Sequence, residues 1–229
     1  MIDDLVAANR ILAHEHVVDA FGHVSARDPQ DPNRYHLARS MAPGLVTAAD
    51  VLTYDLDSNP LDANGRASYL ERFIHGAIYK ARPDVNAIVH AHSPAVIPFG
   101  ISDVRLQPVY HMAAFLGAGV PVFEIRDAGG DATDMLVSSQ LLGDALARTI
   151  GSANVALMRG HGMVAVADSI PGAVYSAYYT AQDAALQSEA LRLGNPTYLN
   201  EKEARRAAQT QAGVIARAWD FWKRALPPR

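Results

Sequence analysis

The chain has 229 residues, 49% of them hydrophobic, a formal net charge of −4 and no cysteine. This length suits one ordinary domain over 1–229, and the lack of cysteine excludes disulfides, thiolate metal ligands and cysteine nucleophiles. The acidic balance, the absence of any apolar run near the roughly 20 residues of a membrane span and the lack of a signal-peptide pattern argue against a nucleic-acid or membrane partner and predict a cytoplasmic location.

Apolar residues at helical spacing predict a first helix over 3–19, which Gly22 would end. Shorter elements follow, and Thr47 is placed to cap a short turn among them. These elements are a strand over 22–27, a turn-rich run over 28–33, a strand over 35–39, a strand over 51–56 and a helix over 69–81.

The second half continues with a buried strand over 86–92, short apolar strands over 120–123 and 155–158, and helices over 138–150 and 171–193. The segment 126–134 reads as a surface loop. From about 200 the chain is predicted to form a solvated helical tail, with Ala218, Trp219 and Trp222 available to dock it on a neighbouring subunit or across a pocket. Strands and helices mix without a regular βαβ rhythm, which favours a mixed or antiparallel sheet covered by helices on both faces.

Two histidines one residue apart carry the main chemical signal. Because alternate side chains of a strand share a face, His90 and His92 point the same way while Val89 and Ala91 point into packing. Two neutral imidazoles on one face suit a divalent transition metal. The alternative is a pair of ordinary core or exposed residues, but burying unpaired imidazoles is costly.

Two more residues can complete such a site. His161 lies between Gly160 and Gly162, which permit unusual backbone angles and close approach, although a plain turn is the simpler interpretation. Glu71 lies early in its helix, where a carboxylate also complements the helix dipole. The other histidines fall on helices or on a polar hairpin and are predicted to be surface residues: His14, His16, His36 and His75.

Taken together, these motifs resemble the class II aldolase/adducin family from the first helix to about 193. The shared motifs are Gly22-x-x-Ser25, the Glu71 helix, the Arg82-Pro83-Asp84 turn, His90-Ala91-His92 and His161-Gly162. The resemblance implies a three-layer αβα sandwich with a largely antiparallel sheet, assembled as a cyclic homotetramer with active sites at subunit interfaces. It also implies that His90, His92 and His161 bind one divalent ion per subunit and that Glu71 is the acid/base. Zinc is the first expectation, and manganese, iron and cobalt are alternatives.

The positions at which this sequence differs from the sugar-phosphate members of the family narrow the expected substrate. His23 replaces an asparagine, Pro43-Gly44 replaces Thr-Gly, and Tyr69-Leu70 replaces a serine pair, so hydroxyl donors to a phosphate are lost. Tyr110-His111-Met112 stands where aldolases lend a tyrosine across the interface. These substitutions resemble the decarboxylase branch of the family, which includes an enzyme acting on 3,4-dihydroxyphthalate and, more distantly, one acting on a hydroxy-pyridine dicarboxylate.

The sequence therefore predicts a metal-dependent, non-oxidative decarboxylase of a hydroxylated aromatic carboxylic acid in aromatic catabolism. Glu71, aided by His23 or His111, would deliver the proton to the ring carbon. The residues assigned to substrate binding are Ser25, Arg39, Ser40 and Tyr69. Two alternatives stay open: a class II aldolase or epimerase acting on a small sugar or sugar phosphate, and an adducin-like scaffold without bound metal.

Overall fold

Seven strands form one mixed sheet in a computed structural model that describes residues 1–117 and 119–228. Their spatial order is β3-β2-β1-β4-β7-β6-β5, and every neighbouring pair is antiparallel except β5 and β6. The strands are β1 (His23–Arg27), β2 (Arg34–Ala38), β3 (Val51–Asp55), β4 (Ala87–Ala91), β5 (Val122–Phe123), β6 (Val155–Met158) and β7 (Gly162–Ala167).

Helices cover both faces of this sheet, so the predicted three-layer architecture is confirmed. They are α1 (Ile2–His14), α2 (Phe73–Ala81), α3 (Ile97–Gly100), α4 (Arg126–Gly129), α5 (Gln140–Ile150), α6 (Ile170–Leu193), α7 (Glu201–Ala212) and α8 (Ile215–Ala225). One core cluster joins α1 and α6 to one face of the sheet, and a second joins α2 and α5 to the other face. Within residues 1–117 and 119–228, no helix combines the length and hydrophobicity needed to cross a bilayer.

Strand β4 lies at the centre and shows the predicted alternation. Ala87, Val89 and Ala91 belong to the core cluster on the α1/α6 side, whereas Ile88 belongs to the α2/α5 cluster. His90 has the same parity as Ile88 and therefore faces the α2 layer. The central strand thus delivers a buried imidazole to the side of the sheet where Glu71 lies.

Several predicted ends are confirmed because local capping chemistry defines them. Ser139 and Ser169 accept hydrogen bonds from the backbone at the starts of α5 and α6, and Gly151 and Gly194 end those helices. Thr47 caps a short 3-10 turn, as predicted, and does so in a capping box with Asp50.

The structure corrects other elements. Helix α1 ends at His14 and not near residue 19, because His16 adopts a left-handed φ of +58° and turns Val17 and Val18 back into the core. Glu71 lies in a 3-10 turn (Leu70–Arg72) before α2, with non-helical φ and ψ. Strand β7 was not predicted, and the expected loop at 126–134 begins with the short helix α4.

The C-terminal tail forms two helices, and the second packs on the same chain. Trp222 of α8 is only 4% exposed and meets the rings of Tyr178 and Tyr179 on α6, with centroids 5.1 and 6.2 Å away. Lys223 adds an ion pair with Asp4 of α1. The expectation of a solvated tail is therefore wrong for α8, because its tryptophan completes the α1/α6 core.

We predict that Trp222→Ala lowers the free energy of unfolding by about 3 kcal/mol, since it removes a buried ring and leaves a cavity. Denaturant unfolding followed by circular dichroism measures this loss. The matched control is Phe221→Ala on the same helix, where the ring is 65% exposed and the change should stay within about 0.5 kcal/mol. Equal losses in the two variants would contradict the docking of α8 through Trp222.

Candidate metal centre

Four side chains meet beside the end of β4. Glu71, His90, His92 and His161 each offer a ligand atom, and these atoms all lie within 4.8 Å of one another. The Nε2 atoms of His90 and His92 are 3.0 Å apart, those of His92 and His161 are 3.0 Å apart, and those of His90 and His161 are 3.2 Å apart. Oε2 of Glu71 lies 3.3 Å from Nε2 of His161 and 3.4 Å from Nε2 of His90.

Two glycines bring the separate segments together. His161 lies in the turn between β6 and β7, where Gly160 has a φ of +61°, in the left-handed region that favours glycine. A Cβ on Gly162 would lie 2.2 Å from the carbonyl oxygen of Ala91 and 3.0 Å from Cα of His92. Glycine at 162 therefore allows the start of β7 to approach β4 closely enough for His161 to meet His92.

The hydrogen bonds of the ring nitrogens show that this donor set suits a metal cation. Nδ1 of His90 lies 3.1 Å from the carbonyl oxygen of Met163, and Nδ1 of His161 lies 2.8 Å from that of Met135. A carbonyl only accepts, so each Nδ1 carries the proton and each Nε2 presents a lone pair. Such lone pairs about 3 Å apart, next to a carboxylate, repel one another unless a cation lies between them. These residues can hold a divalent metal ion.

The electrostatics of the group agree with this chemistry. Burial and the neighbouring His90 and His161 lower the pKa of His92 to about 4, so its imidazole is neutral and can act as a ligand. Burial alone would raise the pKa of the Glu71 carboxyl, but the neighbouring imidazoles of His90 and His161 hold it below its usual range. Glu71 is therefore ionised at neutral pH, and its Oε1 accepts the N–H of Val137 at 3.0 Å.

A second buried polar group adjoins the first. His23 pairs with His90 across β1 and β4, and their ring centroids are 5.0 Å apart. Its Nδ1 lies 2.7 Å from Nε2 of His75, whose Nδ1 lies 2.6 Å from Oγ of Ser25. Ser25 in turn contacts the hydroxyl of Tyr79 at 2.8 Å.

His75 corrects the sequence analysis, which placed it on the surface. The side chain is fully buried and joins two other candidate residues, His23 and Ser25. The signal that could have found it is the four-residue spacing of His75 and Tyr79, which puts both on one face of α2. The apolar neighbours Ile74 and Ile78 indicate that the helix packs on a core, but they do not indicate that the polar residue beside them is buried as well.

Two of the predicted substrate-binding residues have their polar groups engaged within the protein. Ser25 is fully buried and its hydroxyl bonds to His75 and Tyr79, so that hydroxyl is not available to a substrate. The Tyr69 hydroxyl donates to the carbonyl of Met41, while its ring packs on His23 with centroids 4.6 Å apart.

The remaining predicted residues lie nearer the surface. The Arg39 guanidinium forms a 2.7 Å ion pair with Asp50, and Ser40 is exposed. His111 is exposed at the start of a 3-10 turn (His111–Leu116), where it lines a surface groove with Glu203 and Arg206 of α7. Within one protomer, the structure therefore does not bring His111 into the group formed by Glu71 and the three histidines.

Comparisons with known proteins identify the family of this chain. Residues 3–188 match the family model of the Class II Aldolase and Adducin N-terminal domain. The chain is 35% identical to decarboxylase tropJ of Talaromyces stipitatus, covering 96% of this chain and 92% of that protein. It is 29% identical to 3,4-dihydroxyphthalate decarboxylase of Arthrobacter keyseri, covering 76% and 71% respectively. The resemblance predicted from the motifs is confirmed.

The fold is also that of a solved aldolase. L-fuculose 1-phosphate aldolase from Glaciozyma antarctica PI12 superposes with a TM-score of 0.80 at 23% identity, covering 97% of this chain and 88% of that chain. At this level of identity the likeness concerns the fold alone.

We predict that Gly162→Ala abolishes metal binding, because the added Cβ forces β7 away from Ala91 and separates His161 from His92. Zinc titration calorimetry and elemental analysis should give one equivalent per chain for the wild type and none for the variant. Gly213→Ala is the control, since its Cβ would meet its nearest neighbour, the Thr210 carbonyl oxygen, at an ordinary 3.5 Å. Full metal binding by Gly162→Ala would contradict the close approach.

We also predict an acid-dependent loss of stability that depends on His75. Burial and the nearby His90 lower its pKa to about 3, against 6.5 for an unfolded histidine. Below pH 6.5 the unfolded chain takes up a proton on this histidine that the folded protein does not bind. The free energy of unfolding is therefore unaffected by His75 above pH 6.5 and falls between pH 6.5 and 3, by up to about 1.4 kcal/mol per pH unit.

His75→Gln should flatten this part of the pH profile, measured by urea unfolding with a chelator present. His14→Gln is the control, because the side chain of His14 is 45% exposed. Parallel profiles for wild type and His75→Gln would show that the imidazole does not remain neutral in the folded protein.

Proposed function

Because the chain belongs to the class II aldolase and adducin family, we propose that it is a metal-dependent lyase that decarboxylates a hydroxylated aromatic acid without oxidation. A catechol-type acid such as 3,4-dihydroxyphthalate is the proposed substrate class. The observation that carries the proposal is the convergence of His90, His92 and His161 on one point with the Glu71 carboxylate beside it. The similarity to two decarboxylases supports this reaction over the other chemistries of the fold.

The three histidines would hold one divalent ion, with zinc the first choice and manganese, iron or cobalt as alternatives. When bound, such an ion supplies Lewis-acid stabilisation of the negative charge that develops as carbon dioxide leaves. Imidazole ligands are neutral when they bind a metal, so the positive charge of the ion would remain available to attract an anionic substrate.

Glu71 is the proposed acid/base. Its Oε1 is fixed by the N–H of Val137, and its Oε2 faces the histidines. An ionised carboxylate at this place can take the proton of the ring hydroxyl. After the bond to the carboxylate breaks and its electron pair stays on the ring carbon, the same proton can be returned to that carbon. The exchange is balanced, because one proton leaves the hydroxyl oxygen and one reaches the carbon.

The surroundings of the histidines favour an aromatic substrate. Phe21 and Leu70 are 66% and 62% exposed, and the Phe21 ring lies 6.4 Å from the ring of His92. An apolar surface next to charged and polar groups suits a ring that carries carboxylates. Arg39 and Ser40 remain candidates for holding a second carboxylate, since an arginine fork pairs well with that group.

The aldolase or epimerase reaction is the second candidate, because a solved L-fuculose 1-phosphate aldolase has the same fold. Tyr69 and Leu70, which stand in place of a hydroxyl pair, count against a sugar phosphate. We further propose the homotetramer implied by the family, in which the exposed His111 could reach the site of a neighbouring subunit.

We predict that the zinc-loaded protein releases carbon dioxide from 3,4-dihydroxyphthalate, and that Glu71→Gln lowers kcat at least about 100-fold because the proton carrier is lost. Elemental analysis should show that this variant keeps its metal, whereas His90→Ala loses it. The control is Glu189→Gln, at an exposed residue of α6. Release of an aldehyde from a sugar phosphate, with no carbon dioxide from the aromatic acid, would favour the second candidate. A wild-type protein without bound metal would favour the adducin-like scaffold.

A further inference from the structure

Four buried polar groups form one continuous hydrogen-bonded row that ends beside the candidate metal centre. It runs from the hydroxyl of Tyr79 to Oγ of Ser25 (2.8 Å), on to Nδ1 of His75 (2.6 Å), and from Nε2 of His75 to Nδ1 of His23 (2.7 Å). All four side chains are at most 3% exposed. We call these four residues the buried row.

The contacts of the row limit how its hydrogen bonds can point. The phenol and the serine hydroxyl each carry one O–H, and the 2.7 Å contact between the two imidazole nitrogens requires that one of them is a bare acceptor. Among the described residues, the Tyr79 hydroxyl is hydrogen-bonded to Ser25 alone, and the Ser25 hydroxyl only to Tyr79 and His75. The bond between His75 and His23 therefore points in one of two directions, away from His23 or towards it.

The two directions differ in what they leave unpaired. If the protons point away from His23, His23 donates to His75, His75 to Ser25 and Ser25 to Tyr79. The Tyr79 O–H then has no acceptor or, if Ser25 accepts from both His75 and Tyr79, the Ser25 O–H has none, because no other group of the described chain lies within hydrogen-bonding distance of either hydroxyl. A buried donor without a partner is strongly disfavoured.

The opposite direction gives each of the other donors in the row an acceptor and leaves only the second nitrogen of His23 without a partner, an atom that is not among the fully buried polar atoms lacking one. Tyr79 donates to Ser25, Ser25 donates to the bare Nδ1 of His75, and the Nε2–H of His75 donates to the bare Nδ1 of His23. The remaining proton of His23 must then lie on Nε2, on the far side of the ring from His75. No hydrogen bond to this Nε2 occurs within residues 1–117 and 119–228.

From this geometry we infer that the buried row fixes His23 as a hydrogen-bond donor through Nε2, directed to an oxygen of the substrate beside the metal centre. Tyr79, Ser25 and His75 are positioning residues, because they act only through His23. This role rests on the proposed function for the identity of the acceptor, a carboxylate or hydroxyl oxygen of an aromatic acid. The direction of the row does not depend on it.

The inference gives His23 and Glu71 complementary tasks. Glu71 is an ionised acceptor, whereas His23 presents an N–H whose direction its neighbours hold. His23 pairs directly with His90 across β1 and β4, so the donor keeps a constant distance from the metal ligands. A donor held in place in this way stabilises charge on an oxygen without reorganising during the reaction.

Neutron diffraction on deuterated crystals of the full zinc-loaded chain tests the direction of the row. The expected result is deuterium on Nε2 of His23 and Nε2 of His75, with both Nδ1 atoms bare, and Tyr79 pointing its deuterium at Ser25. Deuterium on Nδ1 of His23 would overturn the inference. This measurement needs no substrate, so it stands or falls separately from the proposed decarboxylation.

Kinetics with Tyr79→Phe test whether the buried row acts on the reaction through His23. Removing the first donor frees Ser25 to turn and His23 to shift its proton to Nδ1, so we expect kcat to fall about tenfold with KM nearly unchanged. Tyr54→Phe is the matched control, because this buried hydroxyl donates to Ser68 outside the row, and its kcat should stay within about twofold. An unchanged kcat in Tyr79→Phe would overturn the role of the row. The expected neutron result with no carbon dioxide from any aromatic acid would instead leave the row intact and reject the proposed function.

Discussion

The candidate site depends on one constraint, the packing of β4 between two helical layers. Because side chains alternate along a strand, the same five residues fill the α1/α6 core with Ala87, Val89 and Ala91 and present His90 to the other face. A buried imidazole needs partners, and the carbonyl of Met163 on the neighbouring strand supplies one. The pairing of β4 with β7 therefore selects both the position of His90 and the nitrogen through which it can bind.

The same constraint explains why one end of the sheet carries the chemistry. The two strands next to β4 bring His23 on one side and the β6–β7 turn with His161 on the other. Helix α2 and the turn before it close this face with His75 and Glu71. Polar groups on that face are paired with one another and with backbone, which lets the fold bury four titratable side chains close together, namely Glu71, His23, His75 and His90.

Sequence reasoning predicted most of this arrangement where the signal was local. The alternation of β4, the ends of α5 and α6 at Gly151 and Gly194 and the cap at Thr47 all follow from residues near in sequence. The group formed by His90, His92 and His161 was predicted from residue types and a family resemblance. His75 was misplaced because burial of a polar residue depends on partners that lie 50 residues or more away, such as Ser25. Strand β7 was missed for a similar reason, since its short apolar run is defined by pairing on both sides.

The four grouped side chains come from three segments that are far apart along the chain. Glu71 lies before α2, His90 and His92 lie at the end of β4, and His161 lies between β6 and β7. An ion held there would act as a crosslink that exists only in the folded state. Thermodynamic linkage then couples occupancy to melting: at a free ion concentration 100 times the dissociation constant, folding gains about 2.7 kcal/mol. The concentration of free ion would thereby set the stability of the fold together with the occupancy of the site.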